Sequence, residues 1–282
     1  MSDWWNLLVE PFAYPFMQRA ILAAVVSGAV CAVLSCFLVL KGWSLMGDAI
    51  SHAVLPGIVV SFWAGIPLVI GAFASGIFCA LATGYLKENS RVKEDTVMGI
   101  VFSGMFALGL VMFSRMDTDQ HLSHILFGNV LGITRSELMQ TLIIATVTLL
   151  IVVFKRRDLM LYCFDPNHAK VIGLPVKRLH YGLLCLLALT IVASLQALGV
   201  IQVIAMLIAP GIIGFMLTRR FDRMLLIATT VSVASCVLGT VISFQIDGAT
   251  GPCIVLIQAM FFLIALLIEK LKSPAAQPLS DA

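Results

Sequence analysis

Ser44-Leu45-Met46-Gly47-Asp48-Ala49-Ile50-Ser51-His52-Ala53-Val54-Leu55-Pro56-Gly57-Ile58-Val59-Val60-Ser61-Phe62-Trp63-Ala64 is long and apolar enough to cross a bilayer, which takes roughly 20 mostly apolar residues. It nevertheless carries an acid and an imidazole. Asp48 and His52 stand four apart, so on a helix they project from one face, and Ser44 and Ser51 extend it. A charged residue at the centre of a spanning helix is unfavourable by about 2.5–3.5 kcal/mol on insertion scales, and such residues face a bundle interior or a watery cavity. Carboxylate with imidazole suits first-row divalent ions such as Mn, Fe and Zn, and the lack of thiolate argues against a Cu(I) site. The competing reading is that the pair satisfies only itself or the backbone.

Outward from this stretch the same composition continues. Of 282 residues, 60% are hydrophobic and 12% charged, and the mean hydropathy is +1.04. That leaves too few charges to cover a water-facing surface. Nine spans are expected, at 16–40, 44–64, 67–86, 96–113, 138–154, 181–198, 200–217, 224–244 and 253–268. Only Gly199 separates the sixth from the seventh, so eight is the alternative. The fold class is an all-α polytopic membrane protein. Residues 1–272 form one transmembrane domain and 273–282 a disordered cytoplasmic tail. The net charge of +3 does not point to nucleic acid. The cysteines lie mostly within apolar runs without a CxxC, as packing residues. The N-terminus lacks a basic n-region and does not read as a secretory signal; Trp4, Trp5, Phe12 and Tyr14 read as an interfacial anchor.

Basic residues cluster after the third, fifth, seventh and ninth spans: Lys87, Arg91 and Lys93; Lys155 to Arg178; Arg219, Arg220 and Arg223; Lys270 and Lys272. With nine spans all four clusters share one side, the cytoplasm. Arg115 and Arg135 fall on the other side. The two long loops, 114–137 outside and 155–180 inside, exceed ordinary connections.

Further candidates follow. Pro56-Gly57 breaks the second span one turn beyond His52, and Pro210-Gly211 with Gly214 interrupts the seventh; interrupted helices mark pathways where they line a cavity. Asp247 either faces the pathway or ends the eighth span in water. His121 and His124, beside Asp117 and Asp119, either attract a cation at the mouth or form a solvated loop. The stretch 125–133 reads as a short re-entrant helix. Inside, Asp165-Pro166 is a helix start, with Asp as N-cap and Pro first, and Gly173 a stop. That predicts a helix of about two turns, either a docking surface or a basic loop on lipid headgroups. No GxxxxGK[ST] occurs, so any ATP used must bind another subunit.

Several of these segments together resemble the permease subunits of bacterial ABC transporters for zinc, manganese and iron. They are Lys41-Gly42-Trp43 leading into the Ser44–Gly57 block, Ile125-Leu126-Phe127-Gly128-Asn129, the loop from Phe164-Asp165-Pro166 to Gly173-Leu174, and Ala209-Pro210-Gly211. The stretch from Val97 to Phe106 and Leu217-Thr218-Arg219-Arg220-Phe221 are most similar to the manganese and chelated-iron branch. The resemblance implies a type II (cobalamin-type) ABC importer permease in the bacterial inner membrane. It implies two permease chains, identical or sister, around one pathway, and an external metal-binding protein. It further implies two cytoplasmic ATPases docked on a coupling helix comprising Phe164, Asp165, Pro166, Asn167, Ala169, Lys170 and Gly173. Asp48 and His52 match the family's intramembrane metal site. After Asp247 the sequence departs from relatives rich in Ser, Ala and Pro.

The expectation is therefore a permease, not itself an enzyme, with no resident cofactor and with Mn, Fe or Zn as cargo. The alternatives are a zinc-specific ABC permease and a gradient-driven transporter. An intramembrane metalloprotease would need an HExxH-type pair, which the Asp48–His52 spacing lacks.

Overall fold

The computed structural model describes residues 10–43, 45–115 and 132–272, and among these every regular element is helical. In chain order they are α1 (Pro15–Lys41), α2 (Met46–Ala53), α3 (Leu55–Ala64), α4 (Leu68–Glu88), α5 (Glu94–Phe113) and α6 (Arg135–Phe154). Then come α7 (Arg156–Phe164), α8 (Pro166–Val171), α9 (Val176–Leu198), α10 (Val200–Leu217), α11 (Phe221–Gln245) and α12 (Thr250–Lys272). Counting α2 with α3 as one broken span, the described residues contain nine segments able to cross a membrane. Gly199 does separate α9 from α10: it sits at φ 82°, ψ 165°, a backbone region essentially closed to side-chain-bearing residues.

Helix α1 is the hub. It packs on α6, α9, α10 and α11 through buried small residues, among them Ala20, Ala24, Ser27, Gly28 and Cys31. In lipid, helices gain little from hydrophobicity alone, so small residues and interhelical hydrogen bonds carry association. Here the Ser232 hydroxyl donates to the Gly28 carbonyl at 2.9 Å and the Cys236 thiol to that of Ala24 at 3.2 Å. The outer surface is apolar, with Ile100, Val111, Leu226 and Leu256 between 64% and 67% exposed, as a lipid-facing surface requires.

Two expectations about interruptions need correction. The second span breaks at Val54, half a turn after His52, with Pro56 inside the first turn of α3. The Ala53 carbonyl at the break accepts from the Ser75 hydroxyl of α4 at 2.6 Å. The seventh span is not interrupted: α10 runs unbroken through Pro210. Beside it on α1, the Ser35 hydroxyl donates to the Ile208 carbonyl at 3.3 Å and accepts from the Gly211 N–H at 3.0 Å. One side chain thus serves the backbone groups around the proline.

Gly211 also sits close against α1. A Cβ there would lie 2.7 Å from the Ser35 carbonyl oxygen. Gly211→Ala should therefore lower stability by about 1–3 kcal/mol, read as a lower melting temperature of the solubilised protein. Gly104→Ala, where a Cβ meets nothing within 4 Å, is the neutral control. Equal melting of the two variants would contradict this packing.

Candidate metal site and the capped helix

Asp48 and His52 lie on α2, and the structure brings them together: His52 Nε2 is 3.3 Å from Asp48 Oδ1, with side chains 27% and 30% exposed. Two ligands at about 2.1 Å from one ion sit about 3.0 Å apart at an octahedral angle and about 3.4 Å at a tetrahedral one. The observed separation falls between those values, so the pair can chelate one ion with little movement.

The imidazole is held from α5. Its ring stacks on Phe102 with centroids 6.0 Å apart and meets Phe106 edge-on at 5.1 Å. These two aromatics are four apart on one face of α5 and were not legible as site residues. His52 Nδ1 is buried without a hydrogen-bond partner. Leaving such an atom unsatisfied costs about 1–3 kcal/mol; it is the ring nitrogen turned away from Asp48, the one that needs a hydrogen-bond partner when Nε2 holds a metal.

Two other candidates, Ser51 and Asp247, do not join this pair. Ser51 is buried, its hydroxyl donating to the Gly47 carbonyl at 2.7 Å. Asp247 is exposed, at φ 51° in the turn closing α11, where the Gly248 N–H bonds the Ser243 carbonyl at 3.0 Å. It holds the left-handed position of a helix-stop motif. Among the described residues no group of three or more His, Cys, Asp and Glu is assembled. Ser44, His121, His124, residues 125–131, Trp4, Trp5 and the tail 273–282 lie outside the described residues.

At the basic end of the bundle the loop after α6 is more helical than expected. Helix α7 precedes the anticipated one, and α8 itself spans six residues. Asp165 caps α8, its carboxylate accepting from the Asn167 and His168 N–H groups at 2.9 and 3.0 Å, with Pro166 in the first turn. Gly173 closes it at φ 87°. Its N–H bonds the Lys170 carbonyl, and that of Leu174 reaches back to Ala169, at 3.1 and 3.0 Å. Ala169 is fully buried, while Phe164, Val171 and Ile172 are 79%, 84% and 59% exposed. Asn167 and Lys170 are exposed beside them.

A buried cluster ties this region to the site helix. Tyr162 of α7 hydrogen-bonds His180 Nδ1 of α9 at 2.8 Å. His180 meets Trp43, in the turn between α1 and α2, edge-on at 5.2 Å. The Lys41 ammonium lies 4.5 Å from the Tyr162 ring centroid and 5.8 Å from that of Trp43. Cys163, next to Tyr162, is buried and its thiol is pushed up to about 12 by desolvation, partly offset by Lys41.

Comparison with known proteins gives a consistent picture. Residues 13–269 match the family described as the ABC 3 transport family. The chain is 76% identical to the chelated iron transport system membrane protein YfeD of Yersinia pestis, covering 100% of this chain and 96% of that one. It is 54% identical to the manganese transport system membrane protein MntB of Synechocystis, covering 93% and 86%. Its fold superposes on PsaBC from Streptococcus pneumoniae, solved in complex with Fab, with a TM-score of 0.85, 36% identity and coverage of 95% and 99%.

Proposed function

The chain belongs to the ABC 3 transport family, and on that premise we propose that it is the permease subunit of an ATP-driven importer of a divalent transition metal, Mn(II) or Fe(II). The observation that carries the reading is the Asp48–His52 pair, 3.3 Å apart, partly exposed and beside a helix break. The names of the relatives, chelated iron and manganese transport proteins, support the choice of cargo.

One chain offers two ligands, whereas ions of this class take four to six. A second permease chain bringing its own Asp and His would complete the set. The partial exposure of both side chains and the weak burial of α5 support such a neighbour. An external binding protein would hand the ion to this site. Cytoplasmic ATPases would dock on α8 and the end of α7 before it, where Val171 and Phe164 are exposed. Motion there would reach α2 through Tyr162, His180 and Trp43.

The test is uptake of radiolabelled manganese and iron in cells lacking other importers, with and without an ATPase-dead partner subunit. Uptake should depend on both the chain and a working ATPase, and unlabelled manganese and iron should each compete. Uptake that persists with the dead ATPase would mean a gradient-driven transporter instead.

A further inference from the structure

Two adjoining clefts open at the basic end of the bundle, of about 840 and 700 Å³, and they share Met160, Leu161, Arg220 and Phe221. Their linings differ in chemistry. The smaller is ringed by Arg156, Arg157, Arg220 and Arg223, with Asp222 the single acid. Arg156 is held to Asp222 at 3.1 Å, so one carboxylate answers one of four guanidinium groups. The larger adds Arg219 and Glu269 at its rim. Its interior is walled by Leu40, Phe215, Leu217, Phe221, Met224 and Ile268, contributed by the ends of membrane-spanning helices.

We infer that this joined cleft binds a phospholipid with an anionic headgroup, its phosphate among Arg157, Arg220 and Arg223 and an acyl chain in the apolar half. Guanidinium groups match phosphate oxygens in planar, bidentate fashion. Basic pockets between spanning helices near the membrane surface take such headgroups. The apolar half is what separates this site from one for free phosphate or a nucleotide, because neither would use a wall of Leu, Phe and Met. The inference does not depend on the cargo.

The test uses the full-length protein reconstituted with equal phosphatidylglycerol and phosphatidylcholine, then examined by native mass spectrometry for retained lipid. Wild type should keep phosphatidylglycerol in at least tenfold preference. Arg220→Gln with Arg223→Gln should lose that preference at unchanged melting temperature. Asp222→Asn frees Arg156 and should raise retention severalfold, a direction that a purely structural role for these residues would not produce. Unchanged retention in both variants would overturn the proposal. So would displacement of the lipid by millimolar glycerophosphoglycerol, which has the headgroup and no tail, since that marks a free-phosphate site. Loss of a co-purifying ATPase with phosphatidylglycerol still retained would identify the arginines as a protein-docking face and equally overturn it.

Discussion

Asp48→Asn is expected to abolish metal uptake while leaving the protein folded and inserted. Asn has nearly the shape of Asp, so packing on α2 survives, and its amide can still hydrogen-bond His52 across the present 3.3 Å. What disappears is the negative charge and a carboxylate oxygen. A hard divalent ion favours that oxygen well above a neutral amide. Mutating even the outer partners of metal ligands commonly costs 10–100-fold in affinity or activity, so loss of a ligand itself should lower uptake by at least about 100-fold. His52→Ala should do the same by removing the nitrogen and leaving Asp48 with an unshared charge. The measurement is radiotracer uptake at membrane abundance matched to wild type. If the pair were only structural, Asn would substitute well and transport would stay near normal; that result would remove Asp48 as a ligand.

The spacing that motivates this experiment was visible in the chain because an i, i+4 pair needs only a helix to meet. What surrounds it was not. Phe102 and Phe106 come from α5, Ser75 from α4, and their contacts with His52 and Ala53 depend on how three spans pack. Pro210 was misread for the same reason, since the hydroxyl that serves its neighbours comes from Ser35 on another helix.

Span positions were legible because about 20 apolar residues are hard to hide, but their ends were not. Helix α6 starts at Arg135 under a Thr134–Glu137 capping box, with N···O distances of 2.9 and 3.2 Å. That signature was present in the sequence but lay among charges assigned to a loop. Helix α9 likewise begins at Val176 and carries Lys177 and Arg178 in its first turn. Long basic side chains reach water from a helix end, so charge alone does not mark a boundary.

The same limit applied to α8, the proposed docking helix, and it leads to the second large effect. Its caps, Asp165 and Gly173, follow from local backbone chemistry and stand where the sequence placed them. Its exposed apolar face does not follow from caps. Val171 is the most exposed of its large apolar side chains at 84%, next to Phe164 at the end of α7 at 79%, and both lie beyond the ends of the spans. Apolar groups left in water at a protein's end mark a contact surface. Central apolar contacts of an interface can each be worth 2 kcal/mol or more. Val171→Asp should therefore reduce ATPase co-purification by roughly 30-fold or more and stop transport. The melting temperature should hold, because the side chain touches little of the permease itself. A cysteine at Asn167 offers the complementary readout, crosslinking to the ATPase in wild type and failing in Val171→Asp. The neighbouring Cys163 adds no background, being buried with its thiol pushed up to about 12. Normal co-purification and transport in Val171→Asp would place the ATPase contact elsewhere, and crosslinks confined to residues 219–223 would show where.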